Sequence, residues 1–257
     1  MPGWLKRWVR GGFRRFGFEI SRWSWTLDPW QAQRELLESV GQPIIFDVGA
    51  NVGQTLAAYA GLFPSAVIHS FEPFPAAYRQ LVAAARRHRR AVPHQLALGD
   101  RVGMRPFFVN PTMHANNSLL PRPTEGRRYY PREAELERTI TVQVTTLDQY
   151  CRDQRIDHIN VLKMDAQGAE LLIIKGADEM LRRGAIDLIY CELLFIPHYE
   201  ECALFDEIVV ALRSYGFSLY NLYDTSIAAN GQLSFGDAIL LSERLRKQVV
   251  DEFPPEP

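Results

Sequence analysis

The chain has 257 residues, 47% of them hydrophobic and 23% charged, which is enough to bury a full core in a single α/β domain. A formal net charge of −1 argues against wholesale electrostatic binding to nucleic acid. The three cysteines, Cys151, Cys191 and Cys202, form no C-x-x-C pair, which argues against a disulfide framework or a zinc site and for a reducing, cytoplasmic setting.

The first 42 residues read as a basic, aromatic-rich helical extension. Residues 1–25 carry Lys6, Arg7, Arg10, Arg14, Arg15 and Arg22 against Glu19, a local charge of +5. Trp4, Leu5, Trp8 and Val9 share one helical face, and Gly11-Gly12 keeps that helix short. Such a stretch could rest on an anionic membrane surface as a peripheral contact, or cap a binding site. No run reaches about 18 apolar residues, and charges interrupt any signal-peptide core. A second helix is expected over Pro29 to Val40.

From Pro43 strands and helices alternate. "PIIFDV" reads as a buried strand, "QTLAAYAGLF" as a helix, "AVIHSFE" as a strand, "AAYRQLVAAARRHRR" as a helix and "HQLAL" as a strand. The arginines at 86–90 read as a solvated helix end. "MRPFFV" and "TITVQVTTL" are two further strands. The segment between them, 110–138, is a candidate substrate loop, being too long to be idle. Asn116, Asn117 and Ser118 in "HANNSLL" offer amides and a hydroxyl suited to sugar hydroxyls, and "GRRYYPR" offers rings and cations. Thr146 with Gln149 forms a capping box for a short helix. "NVLKMD" (strand), "AELLIIKGADEMLRR" (one helix), "IDLIYCEL" (strand) and "ALFDEIVVALRSY" (helix) resume the alternation. "FSLYNLY" and "DAILLS" close the domain as a strand pair near residue 245, and 246–257 reads as a disordered tail. The pattern predicts an α/β fold, a mostly parallel sheet with helices on both faces.

The turn after the first strand, Gly49-Ala50-Asn51-Val52-Gly53, lacks the middle glycine of G-x-G-x-x-G and is shorter. Asp47 just before it would repel a pyrophosphate but attract an ammonium or sulfonium, so the loop suits S-adenosylmethionine better than NAD. A ligand-free tight turn would carry the same glycines. Glu72 ends the second strand, 25 residues after Asp47, where an acid accepts hydrogen bonds from ribose hydroxyls. Leu98 and Asp100, at the end of "LALGD", could face an adenine. Asp165 and Glu192 end later strands and should face the same crevice as Asp47. Three like charges at one rim make sense beside a cationic cofactor, a metal or a substrate proton.

"FDVGANVGQT", "SFEP", "LALGD", "TTLDQY", "LKMDAQGAE", "IKGA", "CELLF", "GFSLYNLY" and "DAILLS" occur in the order seen in the FkbM-type methyltransferases, which the chain resembles from about Ile44 to Glu243. The resemblance implies a class I methyltransferase fold, a Rossmann-like seven-stranded, mostly parallel sheet with a terminal antiparallel strand. It implies S-adenosylmethionine as cofactor and O-methylation of a hydroxyl, often on a sugar, glycan or natural product. By motif, Asp47, Gly49, Asn51 and Gly53 would border the methionine part, Glu72 the ribose, Leu98 the adenine and Asp165 the transfer centre. Gln167 departs from the pattern, standing where many members carry Glu, and the lost charge weakens metal binding there.

A hydroxyl needs a base or a metal to become a nucleophile. The candidate bases are His198, Asp165 and Glu192, with His114 weaker; a divalent metal on Asp165 and Glu192 is not demanded by the spacing. Two alternatives stand beside the O-methyltransferase: a NAD-dependent nucleotide-sugar enzyme, and a catalytically degenerate, membrane-associated binding module.

Overall fold

The computed structural model describes residues 25–110, 114–123 and 138–250. A 3-10 turn at Trp25–Leu27 leads into α1 (Pro29–Leu36). Asp28 starts this helix: its Oδ1 accepts from the amides of Trp30 (2.9 Å) and Gln31 (3.3 Å), and Pro29 presets the first helical φ. β1 (Ile44–Val48), α2 (Gln54–Leu62), β2 (Val67–Phe71), α3 (Pro75–Ala85) and β3 (Ala91–His94) follow. Next come β4 (Ala97–Leu98), β5 (Gly103–Val109) and β6 (Arg138–Thr145). The chain continues through α4 (Leu147–Gln154), β7 (Ile159–Met164), α5 (Glu170–Lys175), α6 (Asp178–Arg182) and β8 (Ile186–Leu194). It closes with α7 (Phe205–Arg213), β9 (Phe217–Ile227), β10 (Leu233–Ser242) and α8 (Glu243–Val249).

Seven strands form one sheet in the order β3-β2-β1-β7-β8-β10-β9. Every pair is parallel except those of β10, which runs antiparallel to both β8 and β9. This is the class I methyltransferase arrangement that the family resemblance implied. The antiparallel strand is last in sequence but lies inside the sheet, not at its edge. Alternation along each strand feeds two cores. Phe46, Val48, Leu162, Met164, Ala238 and Leu240 face α4 to α7. Ile45, Val161, Ile239 and Leu241 face the other side, toward α1, α2, α3 and α8. A second sheet has the order β4-β6-β5.

Several local expectations are corrected. "HQLAL" is not one strand: β3 ends at His94 in the main sheet, and β4 begins at Ala97 in the second sheet. β3 starts earlier than expected and contains Pro93, which an edge strand tolerates because it needs no N–H there. The helix before it stops at Ala85. "AELLIIKGADEMLRR" is two helices, because the Asp148 carboxylate caps the second by accepting from the amides of Glu179 (2.9 Å) and Met180 (3.0 Å). The Gly176 carbonyl at the break accepts from the Asp148 amide at 3.0 Å. Thr146 caps α4 through its Oγ1 and the Gln149 amide (3.0 Å), but Gln149 turns to Asp153 (2.8 Å), so the reciprocal half of the capping box is missing.

The outer boundaries shift as well. Ala32 and Leu36 of α1 are buried in the core against the sheet, so this helix is part of the domain and not a separable extension. Residues 246–249 are helical, not a disordered tail: Ser242 Oγ accepts from the Leu245 amide (3.2 Å) and starts α8. The basic stretch 1–24, the "GRRYYPR" segment and residues 251–257 lie outside the described residues. Among the described residues no helix is long and apolar enough to cross a membrane.

At Gly176 an added Cβ would stand 2.0 Å from the Gly99 carbonyl oxygen, so only glycine lets these two turns touch. Gly61, in α2, has nothing within 4 Å. Gly176→Ala should therefore destabilise by about 1–3 kcal/mol, as overpacking does, while Gly61→Ala should stabilise by about 0.4–1 kcal/mol. Thermal or urea unfolding of the two variants checks this; equal midpoints would show that the 99 and 176 turns separate freely.

Candidate functional site

A cavity of about 470 Å³ opens at the carboxyl ends of β1, β2, β7 and β8. From β1 the chain runs outward to β2 and β3, then returns to β7 on the other side. Ligands of open α/β sheets bind at such a reversal. Phe107 of β5 and Asn116, Asn117 and Arg122 also line the cavity.

The loop after β1 is built by backbone geometry. Gly49, Asn51 and Gly53 all have left-handed φ, at 77°, 48° and 97°. A Cβ at Gly49 would lie 1.9 Å from the Asp165 carbonyl oxygen, so this glycine lets the loops after β1 and β7 pack together. Gly49 and Asn51 line the cavity; Gly53 does not. It starts α2, where a Cβ would come within 3.0 Å of Ala84 on α3.

Glu72, just past β2, lines the cavity and is buried. Its Oε2 accepts from the Asn51 amide (2.9 Å) and its Oε1 from the Phe74 amide (2.8 Å). An ionised carboxylate has about four acceptor positions, so both oxygens retain capacity for a ligand. Burial pushes the Glu72 carboxyl up to about 7, against the two amide bonds, which lower it.

The structure separates the three acids expected at the rim. Asp47 is 0% exposed and does not line the cavity. Its Oδ1 lies 3.4 Å from Lys163 Nζ, which lies equally far from Asp165 Oδ2. The cation beside Asp47 is therefore a lysine of the adjacent strand. Asp165 and Glu192 do line the cavity, and one amide joins them: Gln167 Nε2 donates to Asp165 Oδ1 (2.8 Å) and to Glu192 Oε2 (2.9 Å). Burial, then the negative charges of Asp165 and Glu170, hold Glu192 well above the usual carboxylate range.

His198 lines the cavity, and its Nε2 shares a hydrogen bond with Ser234 Oγ (3.0 Å). Burial, then Arg122, lowers its pKa to about 4, so the ring is neutral at pH 7. Leu98 forms part of the apolar wall. Asp100 is taken by Arg105 at 2.6 Å and is not at the cavity. Of the three expected substrate contacts, Asn116 and Asn117 line the cavity and Ser118 does not. Ser118 is 1% exposed, and its Oγ donates to the Gln167 carbonyl (2.7 Å), so it fastens the loop to the site's floor. The side chain of His114 lies outside the description. Tyr199, Arg122, Phe107 and Phe235 also line the cavity, and no motif in the sequence points to them. Among the described residues no group of three or more His, Cys, Asp or Glu side chains is arranged to hold a metal.

Against known proteins, a family model described as the methyltransferase FkbM domain matches residues 47–219. The methyltransferase sdnD of Sordaria araneosa is 30% identical over 158 residues, 53% of this chain and 61% of that protein. The 2-O-methyltransferase NoeI of Sinorhizobium fredii (strain NBRC 101917 / NGR234) is 27% identical over 154 residues, 55% and 60% of the two chains. The 31-O-demethyl-FK506 methyltransferase FkbM of Streptomyces tacrolimicus is 28% identical over 195 residues, 68% and 73%. The chain thus spans about three fifths of the length of the first two relatives.

The raised Glu72 carboxyl has a consequence for stability. A carboxyl with a folded pKa of about 7 and an ordinary value of 4.5 binds its proton more tightly when folded. Its stabilising contribution is complete below about 4.5 and is lost as pH rises through 7. The thermal midpoint of the ligand-free protein minus that of Glu72→Gln should therefore shrink as pH rises from about 5 to 8. Melting curves across that range test it; two parallel profiles would mean that Glu72 titrates in its ordinary range.

Proposed function

The chain belongs to the FkbM methyltransferase family, and from that premise we propose that it is an S-adenosylmethionine-dependent O-methyltransferase. Its acceptor is a hydroxyl of a sugar, a glycan or a similar polyhydroxylated natural product. The observation that carries this reading is the sign of the charge around the cavity. Glu72, Asp165 and Glu192 line it, with Arg122 as the cation among its described lining residues. A pyrophosphate would meet three carboxyl groups and a single guanidinium there, so the arrangement supports a cationic cofactor over NAD. The intact Glu72 cradle supports an enzyme over a degenerate binding module.

The residues present fit S-adenosylmethionine. Glu72 would hold the ribose hydroxyls with its remaining acceptor capacity, Leu98 would lie toward the base, and Asp165, 41% exposed at its side chain, would face the ammonium side. When bound, the cofactor supplies an electrophilic methyl group on a sulfonium. The chain's own residues then align the acceptor and take its proton. Two relatives carry names that specify O-methylation, which supports a hydroxyl as the acceptor group. Asn116 and Asn117 supply polar contacts for neighbouring hydroxyls.

Among the proton acceptors, the Asp165–Glu192 pair is favoured over His198. A base works best with a pKa near the operating pH. His198 is held down at about 4 and is a weak base at neutral pH, whereas burial raises the proton affinity of Glu192. His198, fixed by Ser234, is assigned to orienting the acceptor.

Calorimetry on the wild type should show binding of S-adenosylmethionine and of its demethylated product, and none of NAD. Binding of NAD alone would sink the reading. With an acceptor found by transfer of labelled methyl to a panel of hydroxylated glycans, Glu192→Gln should lower turnover by about 10²-fold or more. His198→Ala should lower it less. The reverse ranking would make His198 the base.

A further inference from the structure

We infer that Gln167 is the positioning residue of this site: its side-chain amide fastens Asp165 and Glu192 into one hydrogen-bonded pair in the cavity wall. The inference rests on the cofactor reading above and deepens it.

Two neighbouring carboxylates repel each other and would swing apart or take up a cation. The amide nitrogen carries two N–H groups and no charge, and it gives one to each acid, at 2.8 and 2.9 Å. The other end of the amide fixes the orientation. Tyr199 Oη donates to Gln167 Oε1 at 2.8 Å, so a flipped amide would turn its oxygen onto two carboxylates and lose the tyrosine bond. Arg122 stacks over the Tyr199 ring at 5.1 Å. Gly168 makes room for this ring, since a Cβ there would stand 2.9 Å from Tyr199 Cδ2. The Gln167 backbone, at a left-handed φ of 55°, is held by Ser118 Oγ on its carbonyl. Backbone, oxygen and nitrogen are thus each fixed by a different segment of the chain.

The amide bond favours the charged form of Glu192. Against it stand burial, the neighbouring Asp165 and the acids of adjoining elements, Glu170 on α5 and Asp237 on β10. Lys163 on β7 and Arg122 supply positive charge nearby, and neutral His198 and Tyr199 complete the surroundings. Removing the amide tips this balance toward a bound proton, which weakens attraction for a cationic ligand.

The test is the affinity for S-adenosylmethionine and for its demethylated product, measured by calorimetry from pH 5 to 9, for wild type, Gln167→Leu and Tyr199→Phe. In wild type, affinity should fall with acidification through the midpoint of the acid pair, beside that of Glu72 at about 7, which neither variant touches. Gln167→Leu should move the pair's midpoint up by about one pH unit, the scale of losing a hydrogen bond to a charged group. Tyr199→Phe should move it the same way by a smaller step, because the amide then loses its orienting partner. At pH 9 both variants should bind within about threefold of wild type. A lowered melting temperature with an unmoved midpoint would mean a merely structural role and overturn the inference. A wild-type profile without a midpoint overturns it too. If Gln167→Leu does not fold, Tyr199→Phe decides alone. No binding of either probe by wild type sinks the cofactor reading and this inference with it; binding with unmoved midpoints sinks the inference only.

Discussion

On β7 the ammonium of Lys163, 6% exposed, sits 3.4 Å from both Asp47 and Asp165. Burial pulls its pKa down, but Asp165 and Asp47 outweigh that and keep it charged. Register pairs Asp47 with Lys163 directly across β1 and β7, so the cation is built into the sheet at the strand reversal. A fully buried carboxylate without such a partner would be strongly unfavourable. Breaking a buried pair by removing one member costs about 3–5 kcal/mol, a large share of a typical total stability of about 5–15 kcal/mol. The electrostatics of the site and the stability of the sheet are therefore one problem in this protein.

This pairing divides the labour among the acids. Asp47 is answered from within the sheet, so its field at the cavity is muted. Glu72, Asp165 and Glu192 are left to face a ligand. They are held in two different ways. Glu72 is clamped by backbone amides, which are fixed once the loops after β1 and β2 are folded. Asp165 and Glu192 are held by side chains of the segment after β7 and, through Tyr199, of the segment after β8. The first arrangement is rigid and suits a part of the ligand that never changes. The second can respond to protonation, which on the proposed reading suits the end where a proton leaves the acceptor.

Much of the fold was legible in the sequence because strand burial leaves a strong local signal. "IIFDV", "NVLKM" and "DAILLS" are apolar runs that sit in the sheet as read. Acids at strand ends were legible for the same reason. What sequence could not show was the partner across the sheet: Asp47 looked like an acid awaiting a cofactor because Lys163 lies 116 residues away. Ser118 looked like a substrate contact because its true partner, Gln167, lies 49 residues on. The break between α5 and α6 was hidden likewise, since Asp148 caps from another helix. Local pattern fixes the elements, whereas these roles are fixed by contacts between turns.

The neutral amide between two acids also bears on rate. On the proposed reading, the positive charge of the sulfonium is dispersed as the methyl group leaves it. A cavity lined by fully charged carboxylates would stabilise the reactant cation more than the transition state, and interactions that favour the ground state do not accelerate a reaction. A second carboxylate held well above its usual range, as Glu192 is, moderates that field while Asp165 still binds a cation. Gln167 then does what a third acid could not: it orders both carboxyl groups without adding charge. A metal ion would order them as well, but its own charge would oppose the approach of a cationic cofactor. The amide is the device of the three that keeps the site ordered, acidic and only moderately charged.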